Sequence, residues 1–217
     1  MKEILSELND HSTDCKNREI FVHRYYNNSE DYDIENKISA QFIKNLRTLD
    51  QKEAPILIHL NAGAGGEWEA GMAMYDAIQF TKSQVIMLIY GYACSMSSII
   101  PQAADLRIIM PNAYMMCHYG YESVDNTHVN NKKYFHFAST LRKTMVNIYT
   151  EKMQYGEYFQ ERGVKDVNKY TRNYIVKKLE HGDWYMGAED AHYYGLVDGV
   201  LGSDDYPNME SIKNVYW

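Results

Sequence analysis

Three short apolar runs, separated by segments with helical periodicity, constrain the fold of this chain more than any other feature. The runs cover residues 56–60, 85–89 and 106–110, and the first and third contain one polar residue each, His59 and Arg107. Continuous apolar runs of this length are typical of strands that are buried on both faces of a sheet. Strands that alternate with helices at this spacing form βαβ units. The sequence therefore predicts an α/β fold around a mostly parallel sheet.

Length and composition limit the class of protein. A chain of 217 residues suits one domain. The net charge is −7, and lysine and arginine are not clustered, which argues against a nucleic-acid partner. No apolar run approaches the length of a membrane span, and the first ten residues contain no long apolar stretch. We therefore expect a cytoplasmic protein with no nucleic-acid or membrane partner.

The cysteines give no sign of a metal centre. Cys15, Cys94 and Cys117 lack the spacing of a metal site, and their odd number leaves no complete disulfide framework. Cys94 and Cys117 lie in apolar segments, as buried thiols do in proteins of a reducing compartment. We expect neither a metal nor a cofactor.

The patterns divide the chain into one domain and two tails. Residues 1–18 are polar and are predicted to form an N-terminal tail, and residues 202–217 a C-terminal tail. Residues 19–201 carry the strand and helix patterns of a single domain. Within it, the segment from about residue 125 to 180 has no strong strand pattern and is rich in tyrosine and phenylalanine. This segment is predicted to be helical.

A loop of small residues places one hydroxyl at a strand-to-helix junction. Ser95 follows the apolar run 85–89 and directly precedes a predicted helix. The free backbone N–H groups at a helix start can stabilise a developing negative charge. An isolated serine at this position is more often a helix cap, so the interpretation depends on the other residues near it.

A glycine-rich turn follows the first apolar run. Its sequence is Gly63-Ala64-Gly65-Gly66, which matches neither a Walker loop nor a dinucleotide-binding G-x-G-x-x-G motif. Glycines in such a turn let backbone N–H groups approach a bound anion closely. Because ligands bind at the carboxyl ends of parallel strands, this turn and the Ser95 loop are predicted to open on the same edge of the sheet.

A nucleophilic serine needs a base and an acid that orients the base. His118 is the best placed of the eight histidines, since it ends the apolar segment 113–117, one strand beyond Ser95. Asp183 is flanked by bulky apolar residues, where a carboxylate usually has a partner. On spacing alone three other aspartates remain candidates: Asp105, Asp190 and Asp198. The Gly-x-Ser-x-Gly elbow of the α/β-hydrolases is missing around Ser95, which disfavours that fold.

A series of motifs between about residue 19 and residue 201 carries a family resemblance. The motifs are Gly65-Gly66 with residues 70–76, then Gly91-x-Ala-x-Ser95-Met96, then Pro111-Asn112 followed by His118, then residues 183–198. In this order they resemble the proteolytic subunit of Clp proteases. The turn at residues 63–66 departs from the family's Ser-Pro-Gly-Gly, because it lacks the proline and is one residue longer.

The resemblance implies a serine peptidase. Ser95 would be the nucleophile, His118 the general base and Asp183 the orienting acid. The backbone N–H groups of Gly66 and Met96 would form the oxyanion hole, which stabilises the tetrahedral intermediate. The peptide substrate would lie extended between the residues of the turn and the residues after the base, which are Gly65, Gly66, Tyr119 and Gly120.

The same resemblance implies an architecture and partners. The fold would be the crotonase-like α/β spiral of βαβ units, with a long helical handle at about residues 125–180. Two heptameric rings of this chain would stack through the handle, and an AAA+ unfoldase would feed substrate into the chamber. The handle region is longer than usual and contains two tyrosine-rich stretches, residues 155–159 and 170–174, for which core packing is the favoured interpretation.

Three other functions remain open at this point. One is a phage head-maturation protease of the same fold, which would cleave scaffold proteins. Another is a non-catalytic ring component, although the Ser, His and Asp set counts against it. The last is an acyl-CoA enzyme of the related crotonase fold, for which the serine and the histidine would be unexplained.

Overall fold

The computed structural model describes residues 11–23, 34–121 and 127–214, and these fold into two β-sheets with helices packed on them. The strands of this part of the chain are β1 (Thr13–Asp14), β2 (Glu19–His23), β3 (Ile56–Asn61), β4 (Val85–Ile89), β5 (Tyr92–Cys94), β6 (Leu106–Ile109), β7 (Tyr114–Cys117), β8 (Trp184–Gly187) and β9 (Gly199–Val200).

The helices of the same residues surround the sheets. They are α1 (Asn36–Leu49), α2 (Trp68–Gln79), α3 (Met96–Ile99), α4 (His128–Met153), α5 (Glu157–Gln160), α6 (Val167–Glu180), α7 (Ala188–Tyr193) and α8 (Met209–Asn214), with a 3-10 helix at Ile100–Ala103. No helix in the described ranges is both long enough and apolar enough to span a bilayer.

The larger sheet has the order β1-β2-β3-β4-β6-β9. Strands β2, β3, β4, β6 and β9 are parallel, and β1 pairs antiparallel with β2. The three apolar runs are the strands β3, β4 and β6, which confirms the prediction of an α/β fold with a mostly parallel sheet. The edge strand β9 is short, since only Gly199 and Val200 pair with β6.

Alternate side chains of these strands enter two separate cores. Residues such as Ile58, Met87 and Ile89 pack in the larger core with α1, α2 and α4. Their neighbours on the opposite face, such as Leu57 and Leu88, form a smaller core with Ile212 of α8. Burial of both faces explains why these strands are mostly apolar.

The smaller sheet was not predicted as a unit. It has the order β5-β7-β8, with β5 parallel to β7 and β8 antiparallel to β7. Strand β7 was expected, whereas β5 lies in the segment predicted as a loop and no strand was predicted at β8. Strands this short have too few residues for a periodic pattern. This sheet brings the last residues of β5 and β7 close to the first residue of β8.

The folded unit extends beyond the predicted domain on both sides. Thr13 and Asp14 pair with β2, and the Arg18 guanidinium donates to the carbonyls of Leu49 and Pro55, so this part of the predicted tail is packed on the domain. At the other end, Ile212 of α8 is fully buried. Residues 1–10 and 215–217 of the predicted tails lie outside the described residues.

The tyrosine-rich segments contribute to the core, as favoured from the sequence. Phe159 is fully buried, and the rings of Tyr158, Tyr174, Trp184 and Tyr194 contact one another with centroid separations of 4.8–6.0 Å. This aromatic cluster joins α5, α6 and α7 to strand β8. The predicted helical segment begins with α4, which spans 26 residues, and its positions 125 and 126 lie outside the described residues.

Candidate active site

Ser95 occupies the junction between strand β5 and helix α3 in a backbone conformation that is rare for a residue with a side chain. Its φ is 54° and its ψ is −125°. Such a conformation costs roughly 1–3 kcal/mol and persists only where the surroundings hold it. Here the Ser95 N–H donates to the Met116 carbonyl at 2.8 Å, and the neighbouring Cys94 N–H donates to the Gly63 carbonyl at 2.8 Å. The strain and the bonds together fix the direction of the Ser95 side chain.

The hydroxyl of Ser95 does not cap the helix that follows it, so the helix-cap interpretation does not apply. Instead, Ser95 Oγ lies 2.7 Å from His118 Nε2. On the other side of the ring, His118 Nδ1 lies 3.3 Å from Asp183 Oδ1. A carboxylate only accepts, so Nδ1 carries the proton and Nε2 is left to accept from the serine hydroxyl.

The four candidate aspartates differ in the groups that they contact. Asp198 pairs with Arg107, and the Asp105 carboxylate accepts the N–H of Val85 at 2.8 Å. Asp190 lies exposed in helix α7. Among the four aspartates, Asp183 is the one that contacts the histidine.

The side chains of His118 and Asp183 differ in their exposure to solvent. The side chain of His118 is 11% exposed and that of Asp183 is 36% exposed, so the ring is enclosed while the carboxylate has access to water. Burial, with the nearby Asp183 charge, raises the pKa of the Cys94 thiol to about 11. This thiol is therefore protonated at neutral pH and does not compete with Ser95 as a nucleophile.

The glycine-rich turn contacts the serine directly. At Gly65, with φ of 83°, a Cβ would come within 2.6 Å of the Cys94 carbonyl oxygen and 2.8 Å of Ser95 Cβ. Only a glycine permits both this backbone conformation and this approach. The predicted convergence of the turn and the Ser95 loop at one sheet edge is thus observed.

The backbone N–H of Gly66 points away from Ile34, with which Gly66 forms an isolated parallel bridge. The N–H of Ile34 donates to the Gly65 carbonyl, and the Ile34 carbonyl accepts the N–H of Glu67, both at 2.9 Å. In a parallel bridge of this kind, the residue between the two bonded positions points its own N–H to the opposite side. The Gly66 N–H is therefore not directed at Ile34.

Met96 is the first residue of α3, so its N–H has no partner within the helix. Its side chain fills the space beside Gly71 of α2, where a Cβ would lie 2.1 Å from Met96 Cγ. The absence of a side chain at Gly71 therefore leaves room for the side chain of Met96.

The residues after the histidine border the same site. Tyr119 is partly buried against the core, and the Arg142 guanidinium lies 5.4 Å from the centre of its ring. Gly120 has a φ of 81° and an open environment. The exposed ring of Tyr121 meets the His118 ring edge-on at 5.6 Å. Tyr119 and Gly120 therefore lie directly after the histidine, and their role in substrate binding stays a prediction.

Sequence reasoning missed a set of buried polar residues beneath the site. Ser97 Oγ donates to the Ala62 carbonyl, and Ser98 Oγ donates to the Ser95 carbonyl at 2.6 Å. Ser98 Oγ also lies 2.7 Å from the hydroxyl of Tyr149 in helix α4. No periodicity or spacing could have linked these side chains, because the contact joins residues 51 positions apart.

In the described ranges, no group of three His, Cys, Asp or Glu residues could hold a metal ion.

Comparison with known proteins identifies the family of the chain. The family model described as Clp protease matches residues 15–204 of the chain. An ATP-dependent Clp protease proteolytic subunit of Deinococcus radiodurans is 28% identical over 172 residues, which cover 77% of this chain and 76% of the relative. An ATP-dependent Clp protease proteolytic subunit 3 from a Synechococcus species is 25% identical over 180 residues, which cover 81% of this chain and 80% of the relative. The chain belongs to the Clp protease family.

Proposed function

We propose that this chain is the proteolytic subunit of a Clp-type protease, a serine endopeptidase that hydrolyses peptides and unfolded proteins inside an oligomeric chamber. The observation that carries the proposal is the continuous contact from Ser95 Oγ through both nitrogens of His118 to Asp183. Family membership agrees with it.

In the first step, His118 Nε2 takes the proton of Ser95 as Oγ attacks the carbonyl carbon of the scissile peptide bond. Asp183 holds the ring in the required tautomer and stabilises the imidazolium that forms. His118 then gives the proton to the leaving amine, which leaves an acyl ester on Ser95. Water, activated by the same histidine, hydrolyses the ester and regenerates the serine.

The backbone N–H groups of Gly66 and Met96 would bind the oxygen that becomes negatively charged during the attack. Two features support this role: the Gly66 N–H is not directed at Ile34, and the Met96 N–H has no intrahelical partner. Loss of one such donor typically lowers kcat by about 10²–10³.

The substrate would bind as an added strand. One side of the peptide would pair with the backbone of Gly65 and Gly66, and the other with the segment of Tyr119 and Gly120. Main-chain pairing of this kind gives affinity with little dependence on side chains, so we expect a loose sequence preference.

Assembly would follow the family pattern of two stacked heptameric rings, with helix α4 as the handle between them. Support comes from exposed apolar side chains in the first half of α4: Val129 is 61% exposed, Phe135 is 51% and Phe137 is 55%. Three large apolar side chains exposed within nine residues of one helix are consistent with a surface that an assembly covers. An AAA+ unfoldase would deliver substrates in the cytoplasm.

Hydrolysis of a short fluorogenic peptide and of an unfolded protein tests the proposal. Wild type should cleave both, and Ser95→Ala and His118→Ala should lose cleavage while they keep the size of the assembly in light scattering. Arg47→Gln is a matched surface control and should keep full activity. Absence of cleavage by an assembled wild type would contradict the proposal.

A further inference from the structure

A chain of hydrogen bonds between buried groups runs beneath the nucleophile. Ser98 Oγ donates to the Ser95 carbonyl oxygen at 2.6 Å, and the Tyr149 hydroxyl lies 2.7 Å from Ser98 Oγ. The Cys117 thiol, just before His118, also donates to Ser98 Oγ at 3.8 Å. Ser98, Tyr149 and Cys117 are at most 1% exposed. No step of the proposed reaction uses these groups directly.

The number of available hydrogens determines which group donates in each of these hydrogen bonds. A serine hydroxyl has one hydrogen and two lone pairs. The Ser98 hydrogen goes to the Ser95 carbonyl, so the Tyr149 hydroxyl must donate to Ser98. Burial raises the pKa of Tyr149 well above its ordinary value, so the phenol keeps this hydrogen at any pH at which the protein works. Tyr149 therefore donates to Ser98, and Ser98 donates to the Ser95 carbonyl.

The Ser95 carbonyl shares a peptide group with the N–H of Met96. A peptide group is planar and trans, so its C=O and N–H point in opposite directions. The carbonyl is held twice, by Ser98 Oγ at 2.6 Å and by the Ser98 N–H at 2.9 Å. Bonds that hold this carbonyl consequently fix the direction of the Met96 N–H. They also polarise the peptide group, which strengthens that N–H as a donor.

We propose that Ser98 and Tyr149 are positioning residues that hold the Ser95–Met96 peptide group in the orientation in which the Met96 N–H binds the oxyanion. This inference rests on the proposed peptidase function. Ser98 and Tyr149 do not touch the substrate, and they act through the strained backbone of Ser95. Because Tyr149 belongs to α4, the same bonds connect the long helix to the nucleophile.

The test compares Ser98→Ala, Tyr149→Phe and the double variant with two controls. Ser39→Ala removes another buried hydroxyl, which donates to the Ala70 carbonyl between α1 and α2. Tyr90→Phe removes a tyrosine hydroxyl that contacts His59. These controls delete the same atoms at places that do not contact the Ser95–Met96 peptide.

The assay measures kcat and KM for a short fluorogenic peptide, and inhibition by a peptide aldehyde that forms a tetrahedral adduct. We expect Ser98→Ala and Tyr149→Phe to lower kcat about tenfold, less than the loss of an oxyanion donor, and to change KM by less than about twofold. Aldehyde affinity should fall in parallel with kcat. The double variant should resemble Ser98→Ala alone, because both residues act through one contact. The controls should keep wild-type kcat.

Crystal structures of the two single variants give a second measurement that needs no activity. They should show the Ser95–Met96 peptide group rotated from its wild-type orientation. Wild-type kcat and aldehyde affinity in both variants, with the peptide group unmoved, would overturn the inference, even if the melting temperature falls. A wild type without Ser95-dependent cleavage would overturn the peptidase function instead, and the orientation of the peptide group would still decide whether the pair holds it.

Discussion

Trp184 lies opposite Cys117 in the antiparallel pair of β7 and β8, and this register places the preceding residue, Asp183, beside His118. The Trp184 side chain is buried among Tyr174 and Tyr194, with ring centroids 5.9 and 5.2 Å away. The aromatic cluster thus supports the strand that presents the acid.

Trp184→Ala should destabilise the protein and reduce peptidase activity. Truncation of a buried tryptophan costs about 3–5 kcal/mol, and loss of packing on β8 would loosen the position of Asp183. Urea unfolding and peptide hydrolysis measure the two effects. Tyr185→Ala, next in the same strand and 59% exposed, is the control and should cost much less stability. Equal stability of the two variants would argue against the cluster as a support.

Gly65→Ala should inactivate the enzyme. The new Cβ would collide with the Cys94 carbonyl and with Ser95 Cβ at a position where φ is positive. Gly163→Ala is matched in backbone conformation, with φ of 61° and no atom within 4 Å of the added carbon, so it should cost about 1 kcal/mol of stability and leave activity intact. Active Gly65→Ala protein would show that the turn does not need its close approach to the serine.

Asp183→Asn should lower kcat by about 10⁴, as expected when the orienting acid of a Ser-His-Asp triad can no longer select the histidine tautomer. Stability should change little, because the Asp183 side chain is 36% exposed. Asp198→Asn should instead lower the stability and leave kcat close to the wild-type value. This substitution leaves the buried Arg107 guanidinium without its carboxylate partner. Steady-state kinetics and thermal unfolding of both variants separate the two roles.

A cluster of polar side chains, on the face of the larger sheet that packs against α8, predicts that the stability of the protein depends on pH. His59 contacts Glu19 at 3.1 Å and Tyr90 at 3.0 Å, and Lys213 of α8 contacts Glu19 at 2.6 Å. The hydrogen bond from His59 and the contact with Lys213 lower the pKa of Glu19 from 4.5 to about 2, against the effect of burial. A lowered carboxyl pKa adds stability that is present above pH 4.5 and is lost as the pH falls toward 2.

Glu19→Gln should therefore destabilise the protein at neutral pH by roughly 1–3 kcal/mol, allowing for partial solvent screening. The difference from wild type should shrink between pH 4.5 and 2. Urea unfolding across this range measures it, with Glu53→Gln as an exposed control. A difference that stays constant with pH would contradict the role of the Glu19 charge.

The sequence predicted the parts of this protein that depend on runs of residues or on order along the chain. Apolar runs indicated β3, β4 and β6, and the positions of Ser95 and His118 after two strands indicated that they would meet. The small sheet was missed because β5 and β8 are only three and four residues long. The contact between Ser98 and Tyr149 depends on packing of α4 against the strand-to-helix junction, which no local pattern encodes.

Treatment of the assembled protein with a fluorophosphonate, with the adduct located by peptide mass spectrometry, tests directly whether Ser95 is the nucleophile. We predict one adduct per chain on Ser95, none on the neighbouring Ser97 and Ser98, and none in Ser95→Ala or His118→Ala. A wild-type assembly that cleaves peptide but carries its adduct on another residue, or an equally labelled Ser95→Ala variant, would contradict the assignment of Ser95 as the nucleophile.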